Sequence, residues 1–289
     1  MVEITGRTKL LGIIGDPVEH SLSPLMQNAA IAELRLDYVY VPFPVQTNNL
    51  KEALAGFTAI DLVGFNATIP HKQAIIPLLD EITSVAKAIG AVNTVWRTDK
   101  GSWMGTNTDV TGFIAPLKKI GRDWSNAKAV VLGNGGAARA VVAGLAQLGI
   151  TEINVVGRNK NKLAQFWQSW QDSLSISNLI KIHSWENLSG LISTCDLLVN
   201  TTPIGMSPQI DASPVSKNLM QKLSPNAIAY DLIYTPAPTK FLSLAQERGA
   251  TAIDGLEMLV QQGAAALQIW TDRPAPVDIM RNTLQKKLY

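Results

Sequence analysis

The stretch that decides the fold spans residues 127–139 and reads AKAVVLGNGGAAR. Its run from Ala127 to Leu132 is apolar except for Lys128, which is typical of a parallel strand buried on both faces. Glycines follow at 133, 135 and 136, and an alanine-rich helical pattern covers 136–148. Glycine lets the backbone turn tightly and approach a pyrophosphate, and the helix N-terminus offers unpaired N–H groups to that anion. The stretch therefore predicts a dinucleotide-binding βαβ unit, although a strand–helix turn without a ligand can have the same residues.

The end of the next strand, predicted over 152–156, indicates which dinucleotide is bound. An NAD site places Asp or Glu there to bond the ribose 2′-hydroxyl. Residues 156–162 read VGRNKNK, with three bases and no acid. A 2′-phosphate needs positive charge, and Arg158 can also stack on adenine, so the sequence favours NADP over NAD. The same residues also fit the solvated start of a helix with Asn159 as N-cap, and both roles are compatible.

The rest of the chain alternates strand-like and helical patterns, which predicts βαβ units and mainly parallel sheets. The other predicted strands are 9–14, 38–41, 62–66, 91–97, 179–182, 196–199, 227–231 and 251–253. The other predicted helices are 24–34, 48–57 with Thr47 or Asn48 as N-cap, 70–79, 83–88, 160–171, 238–247, 256–270 and 277–287. The rhythm restarts near residue 110, so we expect two domains, with candidate hinges at 107–112 and at the Asp254–Gly255 turn.

Composition places the chain among soluble globular proteins. Of its 289 residues 46% are hydrophobic and 17% are charged, and the net charge is +2. That balance argues against nucleic acid or a membrane surface as the main partner, and the N-terminus lacks a secretory signal pattern. The single cysteine, Cys195, precedes an apolar run and is predicted to be a buried core thiol in a cytoplasmic protein. The three histidines lack metal-ligand spacing, so no metal is expected.

Two segments, GFNATIPHK at 64–72 and TNTD at 106–109, contain polar groups that a small-molecule site could use. Pro70 cannot donate to a β-ladder and suits the first turn of a helix, so it is expected to end the first strand. Lys72 and Asp109 form a possible proton-transfer pair, in which a protonated lysine serves a developing alkoxide. The alternative is a plain surface ion pair worth under ~1 kcal/mol.

Further polar clusters lie at predicted strand or helix ends: HSLSP at 20–24, AVNT at 91–94, NTTPIGM at 200–206, YDLIY at 230–234 and GLEMLVQQ at 255–262. Each is unremarkable alone. Ser23, which precedes Pro24, fits a helix N-cap. The 200–206 loop follows a strand at the sheet edge where ligands bind, so it is either a nicotinamide neighbour or an ordinary Asx/Pro turn.

Taken together, these motifs and their order closely resemble the shikimate dehydrogenase family over nearly the whole chain. The resemblance implies an α/β fold of two domains with a cleft between them. The first is a substrate domain with a mainly parallel sheet over 1–110 and 255–289, and the second is a Rossmann-like NADP domain over 111–254. The implied reaction is the NADP-dependent, reversible reduction of 3-dehydroshikimate to shikimate, a step of chorismate and aromatic amino acid biosynthesis.

The resemblance also implies roles for individual residues. Ser21 and Ser23 match residues that bind the substrate carboxylate, and Tyr234 matches a tyrosine near it. The positions that bind the ring hydroxyls are matched by Asn66, Thr68, Lys72, Asn93, Asp109 and Gln262, of which Lys72 and Asp109 match the catalytic pair. Gln262 is expected opposite Lys72 across one cleft. The residues expected to contact the cofactor are Gly133, Asn134, Gly135, Gly136, Ala137, Arg158, Asn159, Lys162, Thr201, Thr202, Pro203, Met206, Leu232 and Gly255.

The chain departs from the family pattern at a few positions. Asn134 stands where the glycine-rich loop usually has a small residue, and Gly157 and Asn159 stand where an Asn-Arg-Thr triplet is usual. Ala67 and His71 stand where Val and Phe are common. These departures concern cofactor preference and fine geometry, and they leave the catalytic pair intact.

Two other functions fit part of the same sequence evidence. A quinate/shikimate dehydrogenase with broader substrate or NAD use needs a pocket near Ser21 and Ser23 that admits one more hydroxyl. A non-catalytic nucleotide-binding sensor has no need of a proton donor, so the presence of both Lys72 and Asp109 argues against it. We therefore expect an enzyme for a small-molecule substrate that acts as a monomer or homodimer.

Overall fold

A computed structural model describes residues 4–288 of the chain. The chain divides into two compact units, one containing Met1–Gly112 and Leu259–Tyr289 and the other containing Phe113–Met258. Each unit is built on its own six-stranded sheet.

The strands are, in chain order, β1 (Lys9–Gly15), β2 (Tyr38–Pro44), β3 (Gly64–Ala67), β4 (Glu81–Ile82), β5 (Thr94–Arg97), β6 (Trp103–Thr106), β7 (Lys128–Leu132), β8 (Glu152–Gly157), β9 (Ile180–Ser184), β10 (Leu197–Asn200), β11 (Ile228–Asp231) and β12 (Thr251–Ile253). The α-helices are α1 (Ser23–Glu33), α2 (Leu50–Ala59), α3 (His71–Ala74), α4 (Ser84–Ile89), α5 (Asp109–Lys119), α6 (Gly136–Gln147), α7 (Lys160–Gln168), α8 (Leu174–Ser177), α9 (Leu188–Ile192), α10 (Lys217–Met220), α11 (Lys240–Glu247), α12 (Leu256–Thr271) and α13 (Val277–Leu288). Short 3₁₀ turns lie at Thr47–Asn49, Ile76–Leu78 and Trp185–Asn187.

The sheet of the Phe113–Met258 unit is parallel throughout, in the order β9-β8-β7-β10-β11-β12. Counted from β7, this is the 3-2-1-4-5-6 order of a doubly wound dinucleotide-binding fold. The central strand β7 is buried on both faces, with Val130 and Val131 at most 1% exposed. The prediction of a Rossmann-like unit around residues 127–139 is confirmed.

The sheet of the other unit is mixed, in the order β2-β1-β3-β5-β6-β4. Strands β2, β1 and β3 pair in parallel, and β4 is parallel to β6, whereas β5 runs antiparallel to both β3 and β6. Aromatic rings pack in series on one side of this sheet, from Phe57 to Phe65 to Trp103. The mainly parallel pairing that was predicted holds for β1 to β3, and Asn66 and Thr68 lie at the carboxyl end of β3.

Strand β6 is absent from the predicted elements. It pairs with β5 as a hairpin, closed by a turn in which Gly101 adopts φ +84° and Thr98 N–H donates to the Ser102 carbonyl. The Asp99-Lys100-Gly101 segment has the composition of such a turn, so the hairpin was visible in the sequence and was overlooked.

Two predicted helical boundaries are wrong for identifiable reasons. The helix predicted over 70–79 is only the short α3 followed by the 3₁₀ turn Ile76–Leu78, because Pro77 has no N–H with which to continue the helix. The linker predicted over 107–112 is helical from Asp109 onwards, since the Asn107 side chain accepts the Asp109 N–H at 3.0 Å and starts α5. Short polar residues read as a loop can therefore start a helix.

Of the predicted helix N-caps, only Asn159 is confirmed. Ser23 lies inside α1, Leu22 occupies the cap position, and no side chain caps this helix. Neither Thr47 nor Asn48 caps α2, which begins at Leu50 after a 3₁₀ turn. The prediction for Asn159 is confirmed, because its Oδ1 accepts the Lys162 N–H at 3.0 Å at the start of α7.

Two other features bear on the class of protein. Within residues 4–288, no helix combines the length and the apolar character needed to cross a bilayer. Cys195 is buried as predicted, and this burial raises the pKa of its thiol to about 12. A thiol in that state is a core group rather than a nucleophile.

Candidate active site

Lys72 and Asp109 form an ion pair in the unit built on the mixed sheet. Lys72 lies in the single turn of α3, Asp109 opens α5, and Lys72 Nζ is 2.6 Å from Asp109 Oδ2. The lysine side chain is 24% exposed and the aspartate side chain 11%. The pair is therefore partly shielded from water yet open on one side, which distinguishes it from the exposed surface pair considered above.

Asn93 holds the other oxygen of this carboxylate. Its Nδ2 donates to Asp109 Oδ1 at 2.8 Å, while its Oδ1 accepts the backbone N–H of Thr108 at 2.7 Å. Asn93 is 2% exposed, and Thr94 Oγ1 donates to the same Oδ1 at 3.0 Å. Both Asp109 oxygens are thus held by hydrogen bonds, so the carboxylate keeps the Lys72 ammonium group in one orientation.

The network continues inward to Tyr40 through Asn66. Asn66 Nδ2 donates to Thr94 Oγ1 and to the Asn93 carbonyl, each at 3.0 Å, and Asn66 Oδ1 accepts from the Tyr40 hydroxyl at 2.7 Å. Tyr40 is 1% exposed, and desolvation by burial raises the pKa of its phenol well above the ordinary value. The phenol therefore stays a neutral donor, and it orients the predicted site residue Asn66. Tyr40, Thr94 and Thr108 were not among the predicted site residues.

His71 anchors the backbone next to Lys72. It is fully buried, and its Nε2 lies 2.6 Å from the Val45 carbonyl oxygen, so this nitrogen carries the proton and donates. The Lys72 carbonyl in turn accepts the Val92 N–H at 2.7 Å. These two bonds hold the short helix α3, which is too short to be rigid alone.

The remaining predicted substrate residues lie partly in the same unit. Ser21 Oγ accepts the Ser23 N–H at 3.3 Å, and Ser23 is 6% exposed. Thr68 is half-buried at the end of β3, and Gln262 Nε2 donates to the Leu259 carbonyl of its own helix at 2.9 Å. Tyr234 belongs to the Phe113–Met258 unit, where burial raises the pKa of its phenol.

The glycine-rich loop forms an open backbone surface between β7 and α6. Gly133 has φ +105°, and a Cβ there would lie 2.7 Å from Thr201 Oγ1. Gly135 and Gly136 have no other atom within 4 Å of such a Cβ. No side chain caps α6, so its first N–H groups remain available to an anion. Ala137 follows, half-buried in the first turn of α6.

The end of β8 provides positive charge and no carboxylate. Arg158, Lys160 and Lys162 are all exposed there, around the cap residue Asn159. Open glycines beside a free helix N-terminus fit a pyrophosphate, and exposed cations at the next strand end fit a 2′-phosphate. The residues present therefore fit NADP.

A buried carboxylate ties together the two loops that follow β10 and β11. Asp231 accepts from Asn200 Nδ2 at 3.0 Å and from Thr239 Oγ1 at 2.7 Å, while Asn200 Oδ1 accepts from the backbone N–H and the hydroxyl of Thr202. Burial raises the pKa of Asp231 to about 6, against the hydrogen bonds that lower it. Asp231 and Thr239 were not among the predicted site residues, although YDLIY was singled out as a motif.

The other predicted cofactor residues lie on or beside these loops. Thr201 Oγ1 donates to the Leu132 carbonyl at 2.7 Å, which joins this loop to the end of β7. Pro203 and Met206 are exposed. The Gly255 N–H donates to the Ile233 carbonyl at 3.1 Å, and a Cβ on Gly255 would collide with the carbonyl of Leu232.

Within the described part of the chain, no group of three or more His, Cys, Asp or Glu side chains could hold a metal ion. Of the three histidines, His20 is exposed, and His183 Nε2 lies 2.8 Å from Asn154 Oδ1.

One unit of the chain has a doubly wound parallel sheet with an open glycine loop, and the other carries a fixed lysine–aspartate pair, a combination typical of a nicotinamide-dinucleotide-dependent oxidoreductase. Family models match most of the chain: the shikimate dehydrogenase substrate binding domain at residues 13–95, shikimate/quinate 5-dehydrogenase at 116–232, and the shikimate 5′-dehydrogenase C-terminal domain at 255–285. The chain is 62% identical over 286 residues to the shikimate dehydrogenase (NADP(+)) of Crocosphaera subtropica, covering 99% of each protein. The chain belongs to the shikimate dehydrogenase family.

Solved structures agree with this assignment. A crystal structure of a shikimate dehydrogenase in complex with NADP+ matches at a TM-score of 0.92 and 40% identity, covering 99% of this chain and 98% of the other. The shikimate 5-dehydrogenase of Thermus thermophilus, in complex with NADP(H) and shikimate, matches at a TM-score of 0.84 and 32% identity. That match covers 96% of this chain and 99% of the other.

Proposed function

We propose that this protein catalyses the NADP-dependent, reversible reduction of 3-dehydroshikimate to shikimate. The unit with the mixed sheet would bind the substrate, and the Phe113–Met258 unit would bind NADP. The observation that carries the proposal is the 2.6 Å pair of Lys72 and Asp109, with both carboxylate oxygens engaged, in a chain whose glycine-rich loop is open to a dinucleotide.

Lys72 has the role of proton donor during reduction and of proton acceptor during oxidation. NADPH supplies the hydride when it is bound, and the substrate carbonyl oxygen then needs a proton. The Lys72 ammonium group donates it, and in the reverse direction the neutral amine takes it from the hydroxyl. Asp109 Oδ2 orients the ammonium group, and Asn93 keeps Asp109 from turning away.

The carboxamides of Asn93 and Asn66, near the Lys72–Asp109 pair, each have a hydrogen-bonding group left over for a ring hydroxyl of the substrate. Asn93 Nδ2 uses one N–H on Asp109, which leaves its second N–H free among the described contacts. Both N–H groups of Asn66 are used, but its Oδ1 accepts only from Tyr40 and keeps one lone pair. Asn93 would therefore donate to the substrate and Asn66 would accept from it. Thr68 and Gln262 would bind further hydroxyls, and Ser21, Ser23 and Tyr234 would bind the carboxylate.

The nucleotide would lie along the carboxyl edge of the parallel sheet. Its pyrophosphate would contact Gly133 to Ala137, and its 2′-phosphate would contact Arg158, Asn159 and Lys162. The nicotinamide end would lie near the two loops joined by Asp231, at Thr201, Thr202, Pro203, Met206 and Leu232, and near Gly255, which follows β12.

The deciding experiment measures nicotinamide absorbance with shikimate or quinate and with NADP+ or NAD+, in all four pairings. Shikimate with NADP+ should give the highest kcat/KM. Equal efficiency with NAD+ would contradict the cofactor assignment, and equal efficiency with quinate would indicate the broader quinate/shikimate activity. Absence of turnover in every pairing would favour a nucleotide-binding sensor.

We also propose a cytoplasmic enzyme that works as a monomer or homodimer, with nucleic acid and membranes excluded as partners. The near-neutral net charge of +2 and the single buried thiol support this. Light scattering after size exclusion would measure the mass, and a larger assembly would contradict the proposal.

A further inference from the structure

The strand end that usually recognises the adenosine ribose has no side chain in this protein. In a dinucleotide-binding unit, the residue that closes the second strand contacts the ribose beside the glycine-rich loop. That strand is β8, and it closes on Gly157, which is buried. Some other group must meet the ribose at this place.

The side chain of Asn134 lies over Gly157. A Cβ built on Gly157 would lie 3.3 Å from Asn134 Oδ1 and 2.9 Å from Leu163 Cδ2. Leu132 and Val156 are partners in the sheet, and the Gly133 N–H donates to the Val156 carbonyl at 2.8 Å, so the loop is held against the end of β8. The Asn134 carboxamide therefore occupies space that a side chain at position 157 would need.

Asn134 Nδ2 is buried and has no hydrogen-bond partner among the described residues. Buried donors in folded proteins are nearly always paired, so an unpaired one in a nucleotide loop points to a ligand acceptor. In an NAD site a carboxylate accepts a hydrogen bond from the ribose 2′-hydroxyl. An amide N–H instead suits a ligand group that accepts hydrogen bonds and donates none, such as a phosphate oxygen. The exposed cations Arg158, Lys160 and Lys162 follow directly, which matches an anion.

We infer that Asn134 is a specificity-determining residue whose Nδ2 donates to the 2′-phosphate of NADP(H). The carboxamide comes from the glycine-rich loop and acts in place of a side chain at the end of β8. This inference rests on the proposed NADP dependence and assigns a recognition role to a loop position that ordinarily contributes only its backbone.

The test is calorimetric binding of adenosine 2′,5′-bisphosphate and of 5′-AMP, which differ by the 2′-phosphate and require no turnover. Asn134→Ala should weaken the bisphosphate about tenfold, the loss expected for one hydrogen bond to a charged group, and change 5′-AMP by less than about twofold. Asn134→Asp keeps the shape but replaces the donor with a negative charge, so it should weaken the bisphosphate further. Asn161→Ala, an equal truncation at an exposed position of α7, should leave both affinities unchanged.

Equal losses for both nucleotides in Asn134→Ala, or no loss for either, would overturn the inference. Thermal unfolding of each variant without ligand checks that the loop variants fold. If the unmodified protein itself binds the bisphosphate no better than 5′-AMP, the proposed NADP dependence fails. A preference for the bisphosphate that is undiminished in Asn134→Ala refutes only the role of Asn134.

Discussion

The Lys72–Asp109 region and the glycine-rich loop place their functional groups by opposite means. The first uses buried side chains that hydrogen-bond one another from Tyr40 through Asn66 and Asn93 to Asp109. The second uses backbone N–H groups at an uncapped helix start, above glycines with open space around them. Proton transfer requires one atom at one position, whereas a phosphate is held by several partial charges and tolerates small displacements.

This difference predicts how each region responds to substitution. In the side-chain network each hydrogen-bonded residue holds its neighbour in position, so the loss of one side chain should lower turnover severely. In the loop region the binding energy is spread over backbone groups and several cations, so single changes should weaken affinity by limited factors. Four experiments test this contrast.

The largest effect is expected for Lys72→Met, which removes the proposed proton donor. Turnover should fall by about a thousandfold, within the range of general acid–base catalysis. Asp109 keeps its hydrogen bond from Asn93, so the variant should remain folded and bind NADP+ normally. Steady-state rates, thermal unfolding and NADP+ titration measure these three quantities. Lys51→Met, at an exposed position of α2, is the matched control. Near-normal turnover would refute the role of Lys72.

The second experiment concerns Asp231, which makes a side-chain network inside the nucleotide-binding unit. Its folded-state pKa is raised to about 6 from 3.8, so the folded protein holds this proton more tightly than the unfolded chain. The resulting stabilisation is present below about pH 4 and is lost as pH rises to about 6, a change of about 3 kcal/mol. Asp231→Asn cannot titrate, so its free energy of unfolding should rise relative to the wild type by that amount between pH 4 and pH 7.

Urea unfolding of both proteins at each pH measures this difference. Thr239→Val is the companion variant, because it removes the 2.7 Å hydrogen bond to Asp231 and leaves the carboxylate in place. Its stability relative to the wild type should fall at pH 7, where the bond is to a charged group. A pH-independent difference between wild type and Asp231→Asn would show that Asp231 does not titrate in this range.

Arg158→Asp should weaken NADPH binding by about tenfold to a hundredfold, because a charge that attracts the 2′-phosphate becomes one that repels it. Binding of NADH, which lacks this phosphate, should change little. The ratio of kcat/KM for the two cofactors measures the shift in preference. Unchanged NADPH affinity would mean that the 2′-phosphate is not held at the end of β8.

The smallest effect is expected for Asn159→Ala, which removes the side-chain cap of α7. The free energy of unfolding should fall by about 1 kcal/mol, as for other N-cap truncations. Asn159→Asp preserves the cap and adds a negative charge, so it should keep stability but lower the affinity for NADPH. These two variants separate the capping role from the binding role through thermal unfolding and cofactor titration. Equal behaviour of the two would contradict that separation.

The contrast between the two regions also explains what could be predicted. The strand, glycine turn and helix at 127–147 lie within about twenty residues, so their local pattern predicted the structure nearly to the residue. The N-cap at Asn159 was predicted for the same reason. Errors arose where a single residue overrode the pattern, as at Pro77, or where a side chain in an expected linker started a helix, as at Asn107.

Tyr40 could not be assigned from the sequence. It lies in the apolar strand β2, where its spacing indicates only a core residue, and its partner Asn66 is 26 residues away. Thr94 likewise looks like a polar residue within an apolar strand until the register of β3 and β5 places Asn66 opposite Thr94. Hydrogen bonds between residues far apart in the chain depend on that register, which local sequence does not encode.

The sequence by itself predicted the parallel nucleotide-binding unit and a phosphate-bearing cofactor, and it singled out Lys72 and Asp109 as a possible proton-transfer pair. The first two follow from short-range patterns of glycine, apolar residues and charge, which involve only residues close together in the chain. Only the tertiary structure decided that Asn93 fixes both the start of α5 and the carboxylate of Asp109, and that Asn134 lies over Gly157. Those contacts join separate strands and loops, so they exist only once the sheets have assembled and brought their ends together.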